Sequence, residues 1–329
     1  MIFLNQIEST IRKATSSSYD SVRCTITLLD GGGAIVAQLV EQYSRIIGSY
    51  HEFPGVEELV RAYMQQNNST VIVPSVKHYY YLNGEVIGSP DTQNLGILYH
   101  GSKLRIPVYR TADEVVGSWF LVPYKSVYVL GGTYFHLPYY ASAAGTATIT
   151  RTYADGTTDT STAVTSAGLN NLVIQKSSSI HAHVEFGYRT MDIYFVDADM
   201  KEHFSFRNVF NVLEQIDIPA SFESNPKTEF ETAQQDKVLQ RYDIEHQLEM
   251  SIKTSALPAG IYKQLLALCQ ARSVTYYQSE SLPITVSGTH AISIEEYKLP
   301  KSTEPNTPLT FEMKFKYCDT EMNDAVVLS

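Results

Sequence analysis

From Leu309 to Tyr317 apolar and polar residues alternate without interruption. Leu309, Phe311, Met313, Phe315 and Tyr317 fall on one side, and Thr310, Glu312, Lys314 and Lys316 on the other. Successive side chains of a strand point to opposite faces, so the pattern predicts a strand with one buried and one wet face. The same period of two runs through Val22–Cys24–Ile26–Leu28 and through Ala182–Val184–Phe186–Tyr188. Asp30-Gly31-Gly32-Gly33 and Asp155-Gly156 stand between predicted strands, where hairpin turns require glycine and a short polar side chain. Helical spacing is confined to two places. Val56, Leu59, Val60, Tyr63 and Met64 share one face after Pro54-Gly55. Ile261, Leu265, Leu268 and Cys269 share another within Leu257–Arg272, with Pro258 in its first turn. The fold class implied is mainly β: tandem β-sandwich-like domains with two short accessory helices.

At roughly 100–200 residues per domain, 329 residues suggest two or three domains. Residues 1–18 read as a separate N-terminal arm, with Ile2, Phe3, Leu4, Ile7 and Ile11 as one short apolar face before Ser16, Ser17 and Ser18. The arm either lies on a neighbouring molecule or pads its own domain. Residues 19–118 read as a β-sandwich with a short helix, and strands are expected at Thr70–Val73, Val76–Leu82 and Lys103–Tyr109. Residues 119–205 read as a small β-sandwich, rich in Thr, Ser, Ala and Gly. Residues 206–329 read as a C-terminal β-domain with one helix, in which Tyr242–Lys253 is a strand pair or one long strand.

Charge narrows the partners. The net charge is −10 and no more than two Lys or Arg residues are adjacent, so no direct nucleic-acid binding is expected. No apolar run approaches the roughly 20 residues needed to cross a bilayer, so no membrane span is expected. Met1-Ile2-Phe3-Leu4-Asn5-Gln6 lacks the features of a signal peptide. Cys24, Cys269 and Cys318 are odd in number and widely spaced, which argues against a disulfide framework and for assembly in a reducing compartment. Tyr is abundant, 23 residues against one Trp, and suits both strands and surfaces buried against a partner.

Candidate chemistry is sparse. His181, His183 and Glu185 share a strand face and include metal-ligand types. Along one strand they would span about 13 Å at about 3.3 Å per residue, too far for one ion. Asp197-Ala198-Asp199 reads as a polar turn. Gly31-Gly32-Gly33 lacks the spacing and the Lys-Ser/Thr of a phosphate loop. Glu57-Glu58 and Glu295-Glu296 are adjacent carboxylates; in a strand they would face opposite ways, whereas glycosidase chemistry needs two carboxyls facing across a cleft. No catalytic residue, no cofactor-binding residue and no metal ligand is therefore assigned, and the chain is read as a non-enzyme. Tyr79-Tyr80-Tyr81 and Tyr139-Tyr140 are the candidate aromatic surfaces for a sugar. Alternation puts Tyr79 and Tyr81 on one face and Tyr80 on the other.

Four segments in order carry a resemblance: Val22–Leu28 with its glycine turn, the helix at Glu57-Glu58-Leu59-Val60-Arg61, Asp192-Ile193-Tyr194-Phe195-Val196-Asp197, and Phe204-Ser205-Phe206-Arg207-Asn208-Val209-Phe210-Asn211-Val212. In this order the chain resembles tail and virion structural proteins of bacteriophages and prophages from Bacteroidetes hosts. In that group a strand leads through a polar turn into an aromatic–Arg–Asn segment, and a further β-domain follows. The resemblance implies a structural subunit of a tail, connector or baseplate ring, a homo-oligomer contacting other virion proteins. It would assemble in the bacterial host cytoplasm and reside in the virion. Arg207 and Asn208 would position two domains, since Arg pairs with carboxylates and Asn satisfies backbone groups. The alternative is a carbohydrate- or receptor-binding module.

Overall fold

The structure is a computed structural model that describes residues 2–11, 19–46, 51–101, 118–198, 201–235, 238–278, 288–299 and 308–318. It is mainly β with few, short helices. Two compact units emerge. One comprises Met1–Ser118, Ala141–Ala143 and Val209–Val212; the other comprises Trp119–Tyr140, Ala144–Asn208 and Leu213–Ser329.

The first unit contains β1 (Ile2–Phe3), β2 (Ser21–Leu29), β3 (Ile35–Arg45), β4 (Val71–Ile72), β5 (Ser75–Leu82), β6 (Glu85–Val86), β7 (Asp91–Asn94) and β8 (Ile97–Leu98). Its helices are α1 (Ile7–Ile11) and α2 (Val56–Gln66). One sheet runs β3-β2-β5-β6 with β7 also on β5, and a small one runs β1-β8-β4. The alternation in β2 holds through Val22, Cys24 and Ile26, which are fully buried, and breaks at the register shift that follows, where Thr27 is buried and Leu28 half-buried. Val22, Cys24 and Ile26 meet Val56, Val60 and Met64, the inward stripe of α2. Asp30 Oδ1 accepts from the Gly32 and Ala34 amides at 2.9 and 2.8 Å, and Gly33 takes the left-handed φ of 86° that closes the turn. The expected strand at Lys103–Tyr109 lies outside the described residues.

Residues 2–11 belong to this core. Leu4 and Ile7 are fully buried, β1 pairs in parallel with β8, and Glu8 accepts from the Gly55 amide at 2.7 Å. Of the two readings of the N-terminal segment, the described part takes the one in which it pads its own domain, because its apolar face completes the packing around α2.

The second unit opens with β9 (Ser118–Phe120), β10 (Ser126–Leu130), β11 (Tyr134–Ala141), β12 (Gly145–Tyr153), β13 (Thr158–Thr165), β14 (Gly168–Gln175), β15 (Ser179–Phe186) and β16 (Arg189–Val196). A sheet in the order β10-β16-β15-β12-β13 faces one in the order β14-β11-β9. Ala182, Val184 and Phe186 of β15 and Met191, Ile193 and Phe195 of β16 are all buried, as the period of two requires.

Residues from β17 (Lys201–Arg207) onward form the C-terminal β-domain, whose strands close on themselves. With β18 (Leu213–Gln235), β19 (Val238–Thr254), β20 (Val274–Gln278), β21 (Gly288–Lys298) and β22 (Glu312–Tyr317) they form a closed barrel, β17-β18-β19-β22-β21-β20. The short β20 is the reason: it pairs with both β17 and β21 and removes the edges a sandwich would leave. Phe204, Phe206, Ile218, Met250, Tyr276, Met313 and Phe315 fill the barrel. The expected helix at Leu257–Arg272 is a short 3₁₀ turn, Ala259–Ile261, followed by α3 (Tyr262–Cys269), whose Leu265 and Leu268 join the same core. Cys269 at the end of α3 is half-buried, and that burial pushes its thiol up to about 12.

Tyr242–Lys253 proves to be part of one long strand. β18 and β19 pair from Ala220↔Thr254 to Gln235↔Val238, whereas β19 meets β22 only at Met250–Lys253. Val238–Glu249 therefore pairs with β18 alone among the described residues, making a two-stranded ribbon of roughly 40 Å at about 3.3 Å per residue.

Candidate functional site

Within the second unit, β10 and β11 on one side and β17 and β18 on the other line a cleft of about 750 Å³. Its lining includes Tyr134, His136, Asn171, Lys201, His203, Glu214, Asp217 and Gln264. Three side-chain arrangements hold its walls.

Gln264 of α3 is the first. β10 is an edge strand, so the Tyr128 peptide lacks a ladder partner on one side. The Gln264 side chain accepts from the Tyr128 amide at 2.7 Å and donates to the Tyr128 carbonyl at 3.4 Å. One amide side chain thus does what a neighbouring strand would do. The Tyr128 ring lies where a methyl group at Gly260 would stand, so any larger residue there would have to displace the ring.

The second arrangement centres on Glu214, which is 8% exposed. Its carboxyl accepts from the Tyr124 hydroxyl and from the Asn208 side-chain amide, and Asn208 also donates to the Leu121 carbonyl at 2.7 Å. Burial pushes the Glu214 pKa up, the two hydrogen bonds pull it down less, and the balance is about 7. Asn208 therefore braces Leu121, after β9, against Glu214 in β18. Arg207, paired with it in the sequence reading, donates its backbone amide to Ser273 at 3.3 Å.

In the third arrangement His203 Nδ1 and Asp217 Oδ1 lie 2.8 Å apart across β17 and β18, and the Lys201 ammonium donates to the Gly131 carbonyl. Gly131 has φ of 62°, and a methyl there would overlap the Ala198 carbonyl.

His181, His183 and Glu185 do share the outer face of β15. The residue missing from the sequence reading is Asp192, directly opposite His183 on β16. Its Oδ1 lies 3.0 Å from His181 Nε2 and 2.8 Å from His183 Nδ1, and His183 Nε2 is 3.6 Å from Glu185. The signal was available: counting back across the Gly187-Tyr188 turn pairs the two. Tyr194 stacks on Tyr128 at 4.9 Å and lies 4.7 Å from the His181 ring, which closes the row. No group of three or more His, Cys, Asp or Glu side chains among the described residues is placed to hold a metal ion.

Asp192 gives a prediction. Burial raises its pKa, but hydrogen bonds from His183 and His181 outweigh that and hold the carboxyl below its ordinary range. A depressed carboxyl stabilises the fold above its unfolded pKa, and that share is lost as pH falls through the folded value. Carboxyl-carbon NMR should show Asp192 titrating below an ordinary aspartate, and the double change H181A/H183A should move it upward. An unchanged midpoint in that variant would show the pairing has no electrostatic consequence.

The remaining candidates separate. Asp197 is exposed and pairs with Lys176, while Asp199 lies outside the described residues. Gly31–Gly33 is a hairpin turn. Glu57 pairs with Arg61 one helical turn on. A bulge between Ile294 and Glu296 breaks the alternation, so Glu295 and Glu296 do not face opposite ways; both are exposed and pair with Lys316 and Lys314. Tyr79 and Tyr81 lie on the outer face with Arg23 and Tyr43, the guanidinium 4.4 Å from the Tyr79 ring centre, while Tyr80 turns the other way to stack on Tyr19. Tyr139 is buried against Phe186 and offers no platform.

Among the described residues no helix is long and apolar enough to cross a membrane. The chain matches no protein-family model and none of the curated proteins.

Proposed function

We propose that this chain is a structural subunit of a phage tail, as a tail, connector or baseplate ring component, that works through contacts with copies of itself and with other virion proteins. The observation that carries the structural part is the β18–β19 ribbon. A two-stranded hairpin is marginal alone in water. Each edge presents a row of backbone donors and acceptors that pair readily with another chain. A ribbon of this length is best explained by a neighbouring subunit that pairs with it. The outer face of the first unit supports the same reading, because Arg23, Tyr43, Tyr79 and Tyr81 are the residue types enriched in protein interfaces. The tail itself comes from the resemblance carried by Val22–Leu28 with its glycine turn, Glu57–Arg61, Asp192–Asp197 and Phe204–Val212. No residue is assigned a catalytic role.

Mass photometry and negative-stain images of the purified full chain test this. Discrete closed rings are expected, and replacing residues 224–248 by a tight turn should leave a monomer with an intact barrel. A wild-type protein that stays monomeric at every concentration would overturn the proposal. The second reading, a carbohydrate- or receptor-binding module, is favoured by one observation, the cleft described above.

A further inference from the structure

The cleft between β10–β11 and β17–β18 has polar walls that the assembly reading does not use, over a floor that Leu130 and Ile216 share with the barrel core. Its volume, about 750 Å³, is within the roughly 300–1,000 Å³ of small-molecule sites. Its rim carries an aromatic ring in solvent: Tyr134 is 54% exposed, with His136 edge-on at 5.1 Å. Asn171, also exposed, contributes both an amide donor and a carbonyl acceptor.

Charge decides the ligand class. Lys201 and Asp217 bring one charge of each sign. Lys201 uses one donor on the Gly131 carbonyl and Asp217 one oxygen on His203, which leaves each with further hydrogen-bonding capacity. Glu214 is turned into its own network with Tyr124 and Asn208. The opposite charges of Lys201 and Asp217 offset each other, so an anion drawn to the Lys201 ammonium meets the Asp217 carboxylate, and a cation drawn to Asp217 meets Lys201. A molecule with many hydroxyl groups and no net charge can donate to Asp217, accept from Lys201 or Asn171, and lay an apolar C–H face on Tyr134. Aromatic faces carry negative quadrupole charge and favour such contacts.

We infer that this cleft is a binding site for a neutral saccharide of one or two rings. The site sits in the second unit and includes neither Tyr79-Tyr80-Tyr81 nor Tyr139-Tyr140. It is independent of ring formation, so the two proposals fail separately.

Saturation-transfer NMR on the full chain tests it, with glucose, galactose, mannose, N-acetylglucosamine, lactose, maltose and chitobiose as probes and glucuronate and glucosamine as charged controls. Transfer to at least one neutral sugar is expected, stronger than to either control. Tyr134→Ala and Asn171→Ala change exposed side chains and leave the fold intact. Each should weaken that sugar's binding by about tenfold, the scale of one lost aromatic or polar contact. A disaccharide immobilised through its reducing end separates the sources: retained binding identifies a surface glycan, and loss identifies a free sugar. No transfer from any neutral sugar, or transfer unchanged in both variants, overturns the inference.

Discussion

Glu214→Gln should flatten the pH dependence of stability between about pH 5 and 8. In the folded protein, burial pushes the Glu214 pKa up to about 7, against a smaller opposite effect of the hydrogen bonds from Tyr124 and Asn208. Its hydrogen-bond partners are a phenol and an amide, neither of which carries a positive charge. The folded state therefore holds a proton that the unfolded chain releases at an ordinary carboxyl pKa. Stability from this group is complete below the unfolded value and is lost as pH rises through the folded one. A rise of two to three units corresponds to roughly 3 kcal/mol, since each unit is about 1.4 kcal/mol. Gln keeps the shape, accepts from Asn208 and can donate to Tyr124, but does not ionise. Urea unfolding at pH 5 and pH 8 should show wild type losing about that much and the variant losing little. Parallel losses in both proteins would refute the assignment.

The second large effect is expected at Tyr276 in the barrel seam. β20 closes the barrel, and Tyr276 is fully buried within it against Phe204 and Phe315, its hydroxyl donating to Glu202. Tyr276→Ala removes a buried ring where three strands meet and should cost roughly 3–5 kcal/mol. Tyr276→Phe removes only the hydroxyl and should cost about 1 kcal/mol. Denaturant unfolding followed by a barrel-specific probe distinguishes them. Equal losses would mean the hydrogen bond to Glu202, not the packing, holds the seam.

Local pattern carries a reader far into this fold and then stops at closure. The β2–β3 and β12–β13 hairpins follow from Asp30-Gly31-Gly32-Gly33 and Asp155-Gly156, because the turn chemistry is short-range. β22 follows from its unbroken alternation. β18 escapes the same reading, since Pro219 and Pro226 sit inside it and proline cannot donate to a ladder. Closure itself rests on β17 pairing with β20, far apart in sequence, and nothing in Val274–Gln278 announces two partners. The sites divide likewise. The outward face of His181, His183 and Glu185 is legible from alternation, but Asp192 enters only through the register of a hairpin. Glu214 left a signal that goes unread if Leu213-Glu214-Gln215-Ile216 is passed over as a polar link. Counting by two aligns Glu214 with Ile216 and Ile218, both buried, and so places a carboxyl on an inward face.

One consequence concerns the order in which the protein can be made. Val209–Val212 belongs to the first unit, although β17 and β18 on either side belong to the second. Phe210 packs against His100 and Phe3 there, and Asn211 donates to the Ser69 carbonyl at 3.2 Å. During synthesis at about 5–20 residues per second, the amino-terminal unit waits for a segment translated nearly a hundred residues after Ser118. Its last core side chains leave the ribosome only when the sandwich strands have already emerged. A fragment ending at Ser118 thus lacks part of its own interior, and the first unit cannot be obtained whole by cutting the chain there.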